Sequence, residues 1–282
     1  PTCSANGPSP TIFSGTAPVS GTGKYEYDAL YRLTFASGRE HPGQQPTQGD
    51  PVRGSVPHAN NLAALERYEE DFVYDAVGNI ESVAHTSTTT NWTRLYQNST
   101  TSNRLLATNL PSDAPGIHSV AYSYDAHGSM TNMGTLGDLE WDYADRLQHV
   151  DKVGGGDVYF TYDAGGQRVR KVWEHSSLVE ERIYLGGFEI YRKWDGTIGD
   201  PGTTLELERQ TLHINDGQRR IAMVETKTVD PSGTGTGLLL TPRWRFQLTN
   251  HLDSASMELD HEAGIISYEE YHPYGSTAFH SA

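Results

Sequence analysis

Phe160-Thr161-Tyr162-Asp163-Ala164-Gly165-Gly166-Gln167-Arg168-Val169-Arg170-Lys171-Val172-Trp173 is the stretch on which the fold turns. Side chains two apart on a strand point to one face, so Phe160 and Tyr162 present their rings together. Asp163 accepts backbone N–H bonds at a turn, and Gly166 supplies a positive φ. The mixed polar and β-branched run from Gln167 to Trp173 then pairs back on the first strand. The segment reads as one β-hairpin.

The same step recurs on either side. Tyr25-Glu26-Tyr27-Asp28-Ala29, Phe72-Val73-Tyr74-Asp75-Ala76 and Tyr122-Ser123-Tyr124-Asp125-Ala126 repeat the ring pair and the aspartate, and Gly78 and Gly128 stand where Gly166 stands. Trp141-Asp142-Tyr143-Ala144-Asp145 is a fifth copy, read as a ring pair with the last two letters exchanged. Tyr124, Tyr143 and Tyr162 lie 19 residues apart, one hairpin per interval, while the steps from Tyr27 to Tyr74 and on to Tyr124 are 47 and 50 residues. A repeated supersecondary unit cannot bury its apolar face alone and stacks on copies of itself. The expectation is an all-β chain of antiparallel hairpins in one continuous curved or spiralling sheet, with an aromatic ladder across its strands.

Other segments fit this reading. Asn215-Asp216-Gly217-Gln218 is a tight turn between Thr211–Ile214 and Arg220–Glu225, because Asp-Gly suits two positive φ values. Gly154-Gly155-Gly156 reads as a hairpin loop rather than a phosphate cradle. Residues 1–23, 41–57 and 229–237, rich in Pro, Gly, Ser and Thr, read as linkers or loops. Asn61-Leu62-Ala63-Ala64-Leu65-Glu66-Arg67-Tyr68-Glu69-Glu70 is compatible with two helical turns or with a bent strand entry.

Composition removes several classes. The 282 residues carry 21 Lys and Arg against 36 Asp and Glu, a net charge of −15, which opposes attraction to nucleic-acid phosphates and anionic membranes. A single cysteine, Cys3, excludes an internal disulfide and a four-thiolate zinc site. No apolar run is long enough to span a membrane, and no signal peptide is expected. The triplets at Asn91 and Asn98 match a glycosylation acceptor pattern but carry no weight for localisation.

The Tyr-Asp-Ala-X-Gly units resemble those of the Rhs/YD-repeat family, and longer stretches resemble the C component of bacterial insecticidal Tc toxin complexes. These stretches are Tyr27–Leu33 with Gly38-Arg39-Glu40-His41, Asn61–Tyr68, Val179–Tyr191, Asn250–Ala255 and Ile266–Thr277. The resemblance implies a hollow β shell in which a strip of hairpins spirals around a toxic C-terminal effector. It implies a linker at 1–23, a shell segment at 24–245 and the start of the Rhs-associated core region at 246–282. Its partners would be further shell of the same protein or a B-component-like chain, together with the enclosed effector, in a secreted toxin complex. The family's aspartate-based self-cleavage residues would follow Ala282, so neither self-cleavage nor a toxin domain is expected here. Asp253 stands where the family shows Gly in Asn-His-Leu-Gly-Ser.

Catalysis is not expected, nor are cofactors or metals. His-Glu-X-X-His, Gly-X-Ser-X-Gly and the P-loop spacing are all missing from the sequence. The acids Asp253, Glu258, Asp260, Glu262, Glu269 and Glu270 read as solvated strand faces rather than an acid–base pair. His251 and His272 read as histidines bonded to a neighbouring strand or turn rather than as metal ligands. The rival reading is a carbohydrate- or cell-surface-binding module that stacks sugars on exposed rings.

Overall fold

The computed structural model describes residues 2–4, 12–14, 17–44, 64–134, 136–196, 203–217, 219–233, 239–250 and 252–281. Most of the 41–57 loop, Asn61–Ala63, Gln218, the tip at 234–237 and His251 lie outside the described residues.

From Lys24 onward the strands of each large sheet follow one another in chain order, while Ile12–Ser14 and Ala17–Val19 form a separate two-stranded sheet. One sheet runs in sequence order from Lys24–Tyr27 through Leu33–Glu40, Glu66–Tyr74, Ile80–Ser87, Asn91–Asn98, Leu105–Thr108 and Val120–Tyr124 to Met130–Met133, and Thr2–Ser4 adds to its first edge, making nine strands. A second sheet of twelve strands runs in order from Leu139–Trp141 to Thr277–Ser281. Neither sheet order returns to its starting strand, as closure into a barrel would require. The antiparallel hairpin strip expected from the repeats is present, but divided between two large sheets rather than running as one continuous sheet. The chain passes from the first to the second through an isolated β-bridge between Asn132 and Asp138, beside Gly134 and Gly137, both with positive φ.

The chain forms two compact units, Pro1–Tyr122 with Tyr268–Ala282, and Ser123–Ser267. In the first unit Ala36, Phe72 and Val83 are buried, with Tyr25, Leu33, Tyr74, Ile80, Trp92 and Tyr96 against them. The stretch left open between helix and strand is strand from Glu66 onward, and burial alternates residue by residue as a two-faced strand requires. Gly38 faces Tyr68 in the register, and a Cβ there would meet the Tyr68 ring at 2.8 Å, so only glycine lets the ring lie across the strand. In the second unit Leu139, Val150 and Val158 are buried, with Leu136, Leu147, Phe160 and Trp173 packed on them.

Candidate functional site

The chemistry of the repeat sits in its turns. At Asp28, Asp75, Asp125, Asp142 and Asp163 the backbone N–H donates to the carbonyl four residues on, and the carboxylate accepts the N–H of that same residue. The residue at the third position after the aspartate adopts positive φ: Tyr31, Gly78, Gly128, Asp145 and Gly166. Asn250 and Asp260 build the same knot, with Asp253 and Ala263 at positive φ. The sequence hides these two copies because no ring precedes them and no glycine holds the left-handed position. Asp253 therefore fills, at φ 61°, the place that a glycine would fill without strain.

The fifth copy needs correction. Asp142, not Asp145, is the knotting aspartate, so Tyr143 belongs to the turn and is 95% exposed. Trp141 holds the strand position and donates its Nε1–H to the Met130 carbonyl at 2.8 Å. Of the other rings, Phe72 is buried, Tyr74 and Tyr25 pack on the core, Phe160 packs on Leu139, Val150 and Val158, Tyr122 and Tyr124 are half-buried, and Tyr27 is exposed.

A second element of the repeat is Arg at the fourth position after Asp. Arg32 bonds Asp28 Oδ2 at 2.7 Å, donates to the Asp75 carbonyl at 3.1 Å and stacks on Tyr74, whose hydroxyl donates to the Leu33 carbonyl at 2.8 Å. Arg146 repeats each contact with Asp142 at 2.8 Å, the Asp163 carbonyl at 3.3 Å, the Tyr162 ring and, through Tyr162, the Leu147 carbonyl at 2.8 Å. Asp-X-X-X-Arg-Leu is the readable signal for this clamp between successive hairpins. It links the aspartate of one turn to the tyrosine of the next by a cation–π contact and charge-assisted bonds.

The densest cluster of ionisable groups lies in the first unit. Glu70 and His85 are direct cross-strand partners, as are His85 and Trp92. His85 Nδ1 meets Glu70 Oε1 at 3.2 Å, and its Nε2 meets Glu40 Oε1 at 3.1 Å. His272 Nε2 meets the other Glu40 oxygen at 2.9 Å, and Ser276 Oγ lies 3.2 Å from His272 Nδ1. The His85 ring is stacked on Trp92, with Tyr68 stacked at 5.6 Å. Burial opposes charge on Glu40, but the hydrogen bonds from His272 and His85 outweigh it and hold the carboxyl down at about 2. Burial likewise disfavours the His85 cation, yet its bonds to Glu40 and Glu70 lift it to about 9. Beside this cluster the buried Arg39 forks onto Glu270, with Nε at 3.0 and 2.9 Å from the two oxygens, and Tyr268 donates to Glu270 at 2.7 Å. The Gly38-Arg39-Glu40-His41 motif is thereby tied to Tyr268–Ser276.

The acids grouped by sequence do not act as one set. Asp253 pairs with Arg219, Glu258 with Arg245, Gln247 and Ser267, Glu269 with Tyr271 and Thr277, and Glu270 with Arg39, while Asp260 ties a turn and Glu262 is exposed. Sequence reasoning missed Glu40, Glu70 and His85, because nothing near them in the chain marks their convergence.

No family model matches the chain. The Yersinia entomophaga toxin subunit YenC2 is 27% identical over 270 residues, 92% of this chain and 26% of that protein. Toxin subunit YenC1 of the same organism is 29% identical over 265 residues, 90% of this chain and 26% of that protein. A crystal structure of TcdB2-TccC3 without its hypervariable C-terminal region matches with a TM-score of 0.76 and 26% identity, over 97% of this chain and 13% of that one. The Photorhabdus luminescens Tc holotoxin pore matches with a TM-score of 0.76 and 25% identity, over 97% of this chain and 12% of that one. The chain spans about a quarter of the length of the toxin subunits that it matches. It is homologous to YenC1 and YenC2 of Yersinia entomophaga and shares the fold of part of the TcdB2-TccC3 assemblies.

Proposed function

We propose that the chain is a non-catalytic wall segment of a hollow Tc-type shell that encloses a toxic C-terminal effector and is secreted as part of the toxin complex. The observation that carries the reading is the sequential strand order from Lys24 onward, in which strands follow their chain neighbours within each of the two large sheets and neither sheet closes on itself. A strip of this kind leaves edges whose N–H and C=O groups pair with further strands. Those strands would come from more shell of the same protein or from a partner of the kind represented by TcdB2 in the matched structures. The turn knots and Arg clamps hold successive hairpins in register, which suits a wall better than a site of reaction. Half-buried and buried rings within the strands favour packing over a sugar-stacking platform. The wall acts by exclusion: it separates an effector from solvent, proteases and the producing cell.

The test is a graft. This chain replaces the matched region of YenC2, and the product is treated with protease. Protection of the C-terminal part at the level of unmodified YenC2 is expected. A graft that folds, as judged by electron microscopy of a closed particle, but leaves the C-terminal part open to digestion would overturn the proposal.

A further inference from the structure

Glu40, His85 and His272 bring one carboxylate and two imidazole nitrogens within 4.8 Å of one another, all from buried residues. Both rings direct Nε2 at the same carboxylate, His85 at 3.1 Å and His272 at 2.9 Å. Behind each ring the other nitrogen is held, His85 Nδ1 by Glu70 at 3.2 Å and His272 Nδ1 by Ser276 Oγ at 3.2 Å. Outer partners of this kind, a carboxylate on one ring and a hydroxyl on the other, fix tautomer and ring direction around metal-bound histidines. The two imidazoles face different oxygens of Glu40, so with one oxygen as ligand one of these separations approaches the edge, about 3.3 Å, of a tetrahedron whose donors sit about 2.0–2.1 Å from an ion. All three ligand atoms lie within 4.8 Å of one another, so an ion would draw the wider separations in by up to roughly 1.5 Å.

We propose that these three residues form a site for a divalent transition-metal ion of the zinc class, in addition to any role in a shell wall. Two imidazoles and one carboxylate suit zinc, whereas calcium and magnesium require more oxygen donors. The ion would pin His272 to strands Leu33–Glu40 and Ile80–Ser87, joining positions that lie 232 residues apart in the chain. The histidine–glutamate hydrogen bonds are then the metal-free arrangement of the same side chains.

Chelator-treated 282-residue chain, titrated with zinc chloride and separately with cobalt chloride, tests the site. One equivalent of saturable uptake is expected, with a tetrahedral-type cobalt absorption spectrum and a higher melting temperature. Ser276→Ala, which removes only the hydroxyl behind His272, is expected to weaken zinc about tenfold, and His272→Asn about a hundredfold or more. X-ray absorption of the cobalt-loaded wild type needs no variant and should report two imidazoles and one carboxylate oxygen. Absence of saturable uptake, a metal shell without histidine, or affinity unchanged in both variants would overturn the site.

Discussion

One stretch of sheet in each unit treats its faces differently from the other. In the first, charged groups are sealed in: Arg39, Glu40 and His85 are 2%, 0% and 1% exposed, and each is bonded to a partner from another strand or from the Tyr268–Ser281 segment. In the second, large apolar side chains stay open. Trp244, Phe246 and Leu248 alternate along the strand Arg243–Thr249 and are all exposed, while Gln247 on its other face is buried against Glu258. Burial of charge is tolerable only where every carboxylate and cation is paired, because an uncompensated buried charge costs far more than a lost surface contact. Apolar exposure on a sheet face, by contrast, is the ordinary state of a surface awaiting cover. The lesson is that strand identity does not decide which face is inside; what lies over the face decides it.

This contrast can be broken by experiment. The largest effect is expected from Glu40→Ala, which leaves His85 and His272 facing an empty site and should cost about 3–5 kcal/mol. The matched change in the second unit, Arg245→Ala, removes a partly exposed pair with Glu258 and should cost no more than about 1 kcal/mol. Urea unfolding with hydrogen exchange resolved by unit measures both, and equal losses would erase the contrast.

The next effect is on pH dependence, measured in buffer with a chelator. His85 is raised from 6.5 to about 9, so the stability that it contributes is complete below pH 6.5 and is lost as pH climbs toward 9. His213 in the second unit is lowered by burial and by Arg220, so its contribution is present above pH 6.5 and is lost as pH falls below it. Protection factors, which divide out the base-catalysed intrinsic exchange rate, should therefore fall in the first unit on alkalinisation and in the second on mild acidification. The same direction in both units would show that these histidines do not govern them.

A smaller effect separates strand rings from turn rings. Tyr162→Ala, which loses the Leu147 hydrogen bond and the Arg146 stack, should cost roughly 2–3 kcal/mol, whereas Tyr143→Ala should stay within about 0.5 kcal/mol. Thermal melting distinguishes them, and comparable shifts would return Tyr143 to the ladder. Gly166→Val should cost about 1–3 kcal/mol from backbone strain alone, since φ there is 81° and no neighbouring atom lies near the added carbon. An unchanged midpoint would mean that the turn relaxes to accept it.

Much of this was open to reading in the chain. Asp75, Asp125 and Asp163 with their glycines announce turns, since their bonds span only four residues. The Trp141 copy was misread because Tyr143 imitates a strand ring, and only the bond from Arg146 N–H to Asp142 reveals the shifted register. The copies at Asn250 and Asp260 were hidden because Asp253 and Ala263 accept a strained φ that composition assigns to glycine.

The sequence by itself determined the alternating strands, the knotted turns and the order of hairpins, because each depends on hydrogen bonds between near neighbours. Only the tertiary structure decided that Glu40 meets His272 and Arg39 meets Glu270, more than 230 positions away. The reason is physical: a contact across that distance depends on where the whole sheet carries the chain, and no local preference encodes it.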